Sequence, residues 1–114
     1  MEDLKEFGEP LEFWEYFYEI TRIPRCSTLE DKIREYIKKE AEKLGFQTEV
    51  DAIENLVVRI PSNRDSEGNK LGVVLQSHMD MVCEKNENVQ HDFSNDPLKL
   101  KTIEIDNEKW LTAE

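Results

Sequence analysis

Apolar residues recur along this chain with a helical period first and a strand-like period afterwards. Over residues 9–23, Leu11, Trp14, Phe17 and Tyr18 fall at helical spacing, and Phe13 and Ile20 widen the stripe. The pattern predicts an amphipathic helix with an aromatic packing face. Pro10 suits its first turn, where a missing N–H costs nothing, and Pro24 ends it by forcing the preceding residue out of the helical region. A second helix is expected from Ser27, because Ser27-Thr28-Leu29-Glu30 has the capping-box spacing. Leu29, Ile33, Ile37 with Tyr36, Ala41 and Leu44 then line one face, and the interleaved Lys, Arg, Glu and Asp form a solvated one. Gly45 stands where a helix C′ glycine belongs.

After Gly45 the period shortens. Residues 46–51 and 55–60 read as two short strands joined by a tight connection, with β-branched and apolar residues suited to a sheet. Residues 61–70 form a polar turn between strands, rich in Ser, Asn, Asp and Gly. Residues 71–77 are apolar without alternation, which predicts the most buried strand, covered on both faces. Residues 84–97 are polar and irregular, and 99–105 with 109–112 resemble a hairpin around Asp106-Asn107-Glu108. Two helices available to cover these strands point to α/β or α+β layering. The last expected strand runs straight to Glu114 with no closing element, which suggests a piece of a longer domain.

The totals narrow the partners. A chain of 114 residues fits one small domain, and 38% apolar with 36% charged residues makes it polar for a compact fold. The net charge of −11 argues against nucleic acid and against an anionic membrane surface. No basic stretch followed by an apolar one opens the chain, and no apolar run approaches a membrane span, so a cytoplasmic location is expected. Cys26 and Cys83 are too few for a disulfide framework and lack metal-site spacing; Cys83 reads as an ordinary thiol.

The candidate chemistry lies at the end of the 71–77 run, which delivers His78 and, two residues on, Asp80. If the strand continues, both point to the same side. A neutral imidazole is a good zinc ligand, and a neighbouring carboxylate fixes its tautomer and raises its basicity. His-x-Asp alone is nonetheless a weak pattern, and a loop histidine with a local hydrogen bond has the same spacing. His91, the other histidine, reaches a shared metal only if the intervening loop folds back, and Asp92 and Asp96 read more simply as turn residues. No phosphate loop, His-Glu-x-x-His helix or Gly-x-Ser-x-Gly elbow occurs.

Taken together, Val74-Leu75-Gln76-Ser77-His78-Met79-Asp80-Met81-Val82-Cys83-Glu84-Lys85, then His91-Asp92-Phe93 and Asp96-Pro97, resemble the dipeptidase branch of the zinc-dependent dipeptidase, aminoacylase and carboxypeptidase family. The likeness extends to Ile23-Pro24, Ser27, Glu30 and the 46–60 hairpin, and so covers nearly the whole chain. It implies an α/β fold in which residues 1–114 are the N-terminal portion of a metallopeptidase catalytic domain, two helices packed on a mixed, incomplete sheet. It implies that His78 ligates one zinc of a two-zinc site, and that Asp80 is the catalytic carboxylate orienting that histidine. The substrates implied are dipeptides, Xaa-His among them, cleaved by metal-activated water. The family's bridging aspartate, in a Gly-Ala-Asp-Asn-Gly-like motif, and its Glu-Glu pair would fall beyond Glu114, so the isolated chain is expected to be inactive. His91 matches no family ligand, and its role stays open. The family often has proline where Cys83 stands and glycine where Glu54 stands. A second reading is a non-catalytic module that binds metal, or a partner such as a second copy of the chain, through the unfinished sheet edge.

Overall fold

Over residues 2–63 and 71–114, which the computed structural model describes, the helical and extended periods resolve into short elements. In order these are α1 (Glu2–Lys5), α2 (Leu11–Thr21), α3 (Asp31–Lys43), β1 (Gln47–Val50), β2 (Leu56–Arg59), β3 (Leu100–Ile105) and β4 (Glu108–Ala113). The polar turn expected over 61–70 lies, from residue 64 onward, outside the described residues.

The aromatic stripe of α2 forms as expected, but its rings pack chiefly on one another. Trp14 lies edge-on to Phe13 and Phe17 at 5.0 and 6.0 Å between centroids, and meets Phe7 at 5.2 Å. Its indole N–H donates to the Gly8 carbonyl, which joins α2 to the segment that follows α1. The helix stops at Thr21, buried with its hydroxyl donating to the Tyr18 carbonyl, three residues before Pro24.

α3 begins three residues later than its capping-box pattern predicts. Glu30 occupies the N-cap, and Ser27 lies outside the helix. The apolar face is shorter to match, with Ile33 and Ala41 buried but Leu29 and Leu44 exposed at its ends. The far end follows expectation. The Gly45 N–H reaches the Glu42 carbonyl and the Phe46 N–H the Ala41 carbonyl, a Schellman motif built on a glycine at φ +81°. The charged face carries Glu35–Lys39 and Lys38–Glu42 ion pairs one turn apart. Arg34 departs from that surface pattern. It is 7% exposed, donates to Asp31 and to the Glu54 carbonyl, and so ties α3 to the turn between β1 and β2.

β1 and β2 pair antiparallel from Gln47↔Arg59 to Val50↔Leu56. Asp51 organises their connection by accepting from the Ile53 and Asn55 N–H groups and from the Asn55 side chain. Glu54 sits here at φ +70°, a backbone region that glycine occupies at no steric cost. The conformation is one in which glycine, the residue the resemblance expects here, would meet no steric cost. β3 and β4 form the second hairpin, closed by Asp106 and Asn107, both at positive φ as a type I′ turn requires.

Two main helices, the single turn of α1 and these small antiparallel sheets make the chain α/β, as expected, but among the described residues the sheet is two separate antiparallel pieces and not the mixed sheet expected. The larger correction concerns residues 71–77. The expected buried strand is no strand: Leu71, Val73, Val74 and Leu75 are 84–97% exposed. A strand is stabilised by neighbours that satisfy its backbone and cover its faces, and no described residue pairs with this run. The shape agrees, with a radius of gyration of 17.7 Å against about 13 Å for a compact chain of this length.

Two outcomes test this description. Gly45→Ala places a Cβ in open space, so only the left-handed backbone opposes it; urea denaturation should show a loss of about 1 kcal/mol. Hydrogen bonds from Asn55, through its side chain and then its backbone, hold the Asp51 carboxyl below the usual carboxylate range. A depressed folded-state value means that Asp51 stabilises the turn above the unfolded value of about pH 4 and loses that contribution as pH falls through the folded one. Carboxyl NMR titration should find the low midpoint and should see it rise in Asn55→Ala.

Candidate functional site

The site residues lie where two segments far apart in sequence are tied side by side. The Met81 N–H donates to the Arg25 carbonyl at 2.9 Å, and Cys26 and Met81 form an isolated parallel bridge. Cys26 and Cys83 are joined by a disulfide with their Cα atoms 5.5 Å apart. This corrects the reading of Cys83 as a free thiol. A single pair of cysteines carries no sequence signal of which residues will meet, and only the pairing of 26 with 81 brings these two within reach. Bonded to each other, neither sulfur can act as a nucleophile or as a thiolate ligand.

The tie presents Asp80 to two partners. The His78 Nδ1 is 2.9 Å from Asp80 Oδ1, and because an ionised carboxylate only accepts, Nδ1 carries the proton. The Ser27 hydroxyl donates to Asp80 Oδ2 at 2.5 Å. These bonds, from Ser27 first and His78 second, hold the Asp80 carboxyl below the usual carboxylate range. His78 is 81% exposed at its side chain. With Nδ1 engaged, Nε2 is the ring nitrogen left for a ligand, the arrangement in which a carboxylate orients a metal-binding imidazole.

The sequence pattern anticipates the His78–Asp80 contact but not its cause. Both side chains meet without a strand beneath them, because the Cys26–Met81 pairing holds the backbone on the far side of Asp80. Ser27 is the residue of this cluster that local pattern misassigns. Its capping-box spacing points to a helix terminus, whereas its hydroxyl goes to Asp80, 53 positions further on.

His91 is not drawn into this pair. Its ring packs edge-on against Phe93 at 4.6 Å between centroids, beside Thr21, Pro24, Met81 and Cys83. Asp92 and Asp96 are turn residues, as their type suggests: Asp92 accepts from the Ser94 N–H and the Asn95 side chain, and Asp96 from the Asp92 N–H. Among the described residues no group of three or more His, Cys, Asp or Glu is placed to hold a metal. A catalytic zinc takes three protein ligands, so His78 with Asp80 fits one part of such a centre and not the whole.

No family profile matches the chain. It is 38% identical over 113 residues to the cytosol non-specific dipeptidase of Escherichia coli (strain K12), a match that covers 99% of this chain and 22% of that protein. Its fold superposes on the crystal structure of aminoacylhistidine dipeptidase from Vibrio alginolyticus with a TM-score of 0.80 and 40% identity, covering 93% of this chain and 21% of that one. The resemblance to dipeptidases read from the residues therefore holds in sequence and in fold. The chain spans about a fifth of the length of these relatives.

The disulfide gives a direct test of the tie. It closes a sequence separation of 57, for which unfolded-chain entropy predicts a stabilisation of about 4 kcal/mol. Replacing both cysteines by serine should lower stability by up to that amount in urea denaturation, and a dithiol reductant should do the same to the unaltered chain.

Proposed function

We propose that this chain is part of a zinc-dependent dipeptidase, its His78 a ligand of one metal in a two-zinc centre and its Asp80 the catalytic carboxylate that orients it. The single observation that carries this is the His78 Nδ1–Asp80 Oδ1 hydrogen bond at 2.9 Å, within a chain similar to two dipeptidases. Asp80 fixes the imidazole tautomer with Nδ1 protonated, which presents Nε2 as the coordinating atom and makes it a stronger donor. Zinc, when bound, supplies a Lewis acid that polarises the scissile carbonyl and makes water a nucleophile near neutral pH. The remaining ligands and a general base lie outside this chain, in line with the family resemblance, so residues 1–114 alone are inactive. Dipeptides, Xaa-His among them, are the substrates. The location is cytoplasmic, a reading supported by the name of the Escherichia coli relative; no described helix is long and apolar enough to cross a membrane.

The exposed apolar run at Leu71, Val73, Val74 and Leu75 favours a second reading, a module that docks a partner or a second copy through this segment.

Dipeptide hydrolysis, followed by release of free amino acids with and without a zinc chelator, tests the first reading. The full-length protein should cleave dipeptides in a chelator-sensitive way, and His78→Ala should reduce turnover by at least about a hundredfold, the upper end of what even an outer partner of a metal contributes. The 114-residue chain should show none. Zinc-independent turnover, or an unchanged His78→Ala rate, would sink this assignment.

A further inference from the structure

We propose that Ser27 is a positioning residue for the His78–Asp80 pair, acting through Asp80. This rests on the dipeptidase reading of that pair and adds to it a residue from a distant part of the chain. A carboxylate on an sp³–sp² torsion has a broad rotational preference, so one hydrogen bond at Oδ1 leaves its plane free to swing. Here both oxygens are engaged, Oδ1 by His78 and Oδ2 by the Ser27 hydroxyl. Two anchors fix the plane of the carboxylate, and with it the direction in which Oδ1 holds the imidazole.

Ser27 is itself held to the segment it serves. The residue before it is bonded covalently to Cys83 and paired with Met81, and Arg25 accepts the Met81 N–H. The residue after it is Thr28 at φ +73°, an uncommon conformation for a β-branched side chain. Its N–H is taken by Glu30 Oε1, the carboxylate that a capping box would have directed to Ser27. The local rule for a helix start is thus broken at three consecutive details: the cap, its acidic partner and the backbone between them. Such departures are expected where a site overrides local preference. The gain here is the hydroxyl on Asp80.

The test compares Ser27→Ala and Ser27→Thr in the full-length protein. Zinc affinity, read by competition with a chromogenic chelator, should fall about tenfold in Ser27→Ala, and kcat by a similar factor with KM within about twofold, the scale seen when a partner of a metal ligand is lost. Ser27→Thr keeps the hydroxyl and should recover most of both. A readout independent of zinc and of turnover is the ¹⁵N spectrum of His78 in the metal-free protein, which distinguishes the Nδ1–H from the Nε2–H tautomer. The unaltered protein and Ser27→Thr should show the Nδ1–H tautomer, and Ser27→Ala a mixture. Zinc affinity and kcat unchanged by Ser27→Ala, or Ser27→Thr no better than Ser27→Ala, would overturn the proposal. If the unaltered protein neither binds zinc nor cleaves dipeptides, the dipeptidase reading fails alone. The tautomer comparison then decides for Ser27, and identical spectra for Ser27→Ala and the unaltered protein overturn it.

Discussion

Residues 25–27 and 80–83 are fastened together by a backbone bridge and a disulfide, and the candidate site depends on them. The Cys26–Met81 bridge, made by the Met81 N–H on the Arg25 carbonyl, and the Cys26–Cys83 disulfide both act within a few residues of Asp80. The chain elsewhere offers little to hold this region in place. Leu4, Ile33 and Ala41 are the buried apolar residues among those described, too small a set to immobilise a loop by packing. A covalent link that removes freedom from the unfolded chain does what a thin core cannot.

The same links explain how a site can be ordered beside an uncovered segment. Residues 71–77 lead toward Asp80 with their apolar side chains in solvent and no described backbone partner, yet three residues after that run the geometry is defined on both oxygens of one carboxylate. Order enters from the far side, through Met81 and Cys83. The Leu98 N–H on the Thr21 carbonyl continues the attachment along the end of α2, and His91 and Phe93 line the same small cavity as Thr21, Met81 and Cys83. A polar site anchored in this manner leaves its imidazole exposed while the groups that orient it are fixed.

The likeness to two dipeptidases gives this geometry its chemical meaning, and the fraction of those proteins covered sets its extent. One histidine and one carboxylate can bind and orient, but a hydrolytic zinc centre needs more ligands and a base. At Glu54 a tertiary contact accompanies an unfavourable local backbone. A non-glycine residue holds the left-handed conformation there, and its carbonyl accepts from the buried Arg34 of α3.

Much of the local structure was legible in the pattern of residues. The aromatic period and Pro24 delimit α2, Gly45 terminates α3, and Asp106-Asn107 closes the last hairpin, because each depends on the propensities and turn geometry of a few neighbours. The spacing of His78 and Asp80 likewise allows their contact, although the distant pairing of Cys26 with Met81 is what holds the backbone beside Asp80. What the sequence could not determine were the features that join distant positions. The pairing of Cys26 with Cys83, the redirection of Ser27 from a helix cap to Asp80, and the failure of residues 71–77 to become a buried strand all depend on which segments lie side by side. A cysteine, a serine and an apolar run each carry a local preference, but their partners are set by tertiary contacts that no local period encodes.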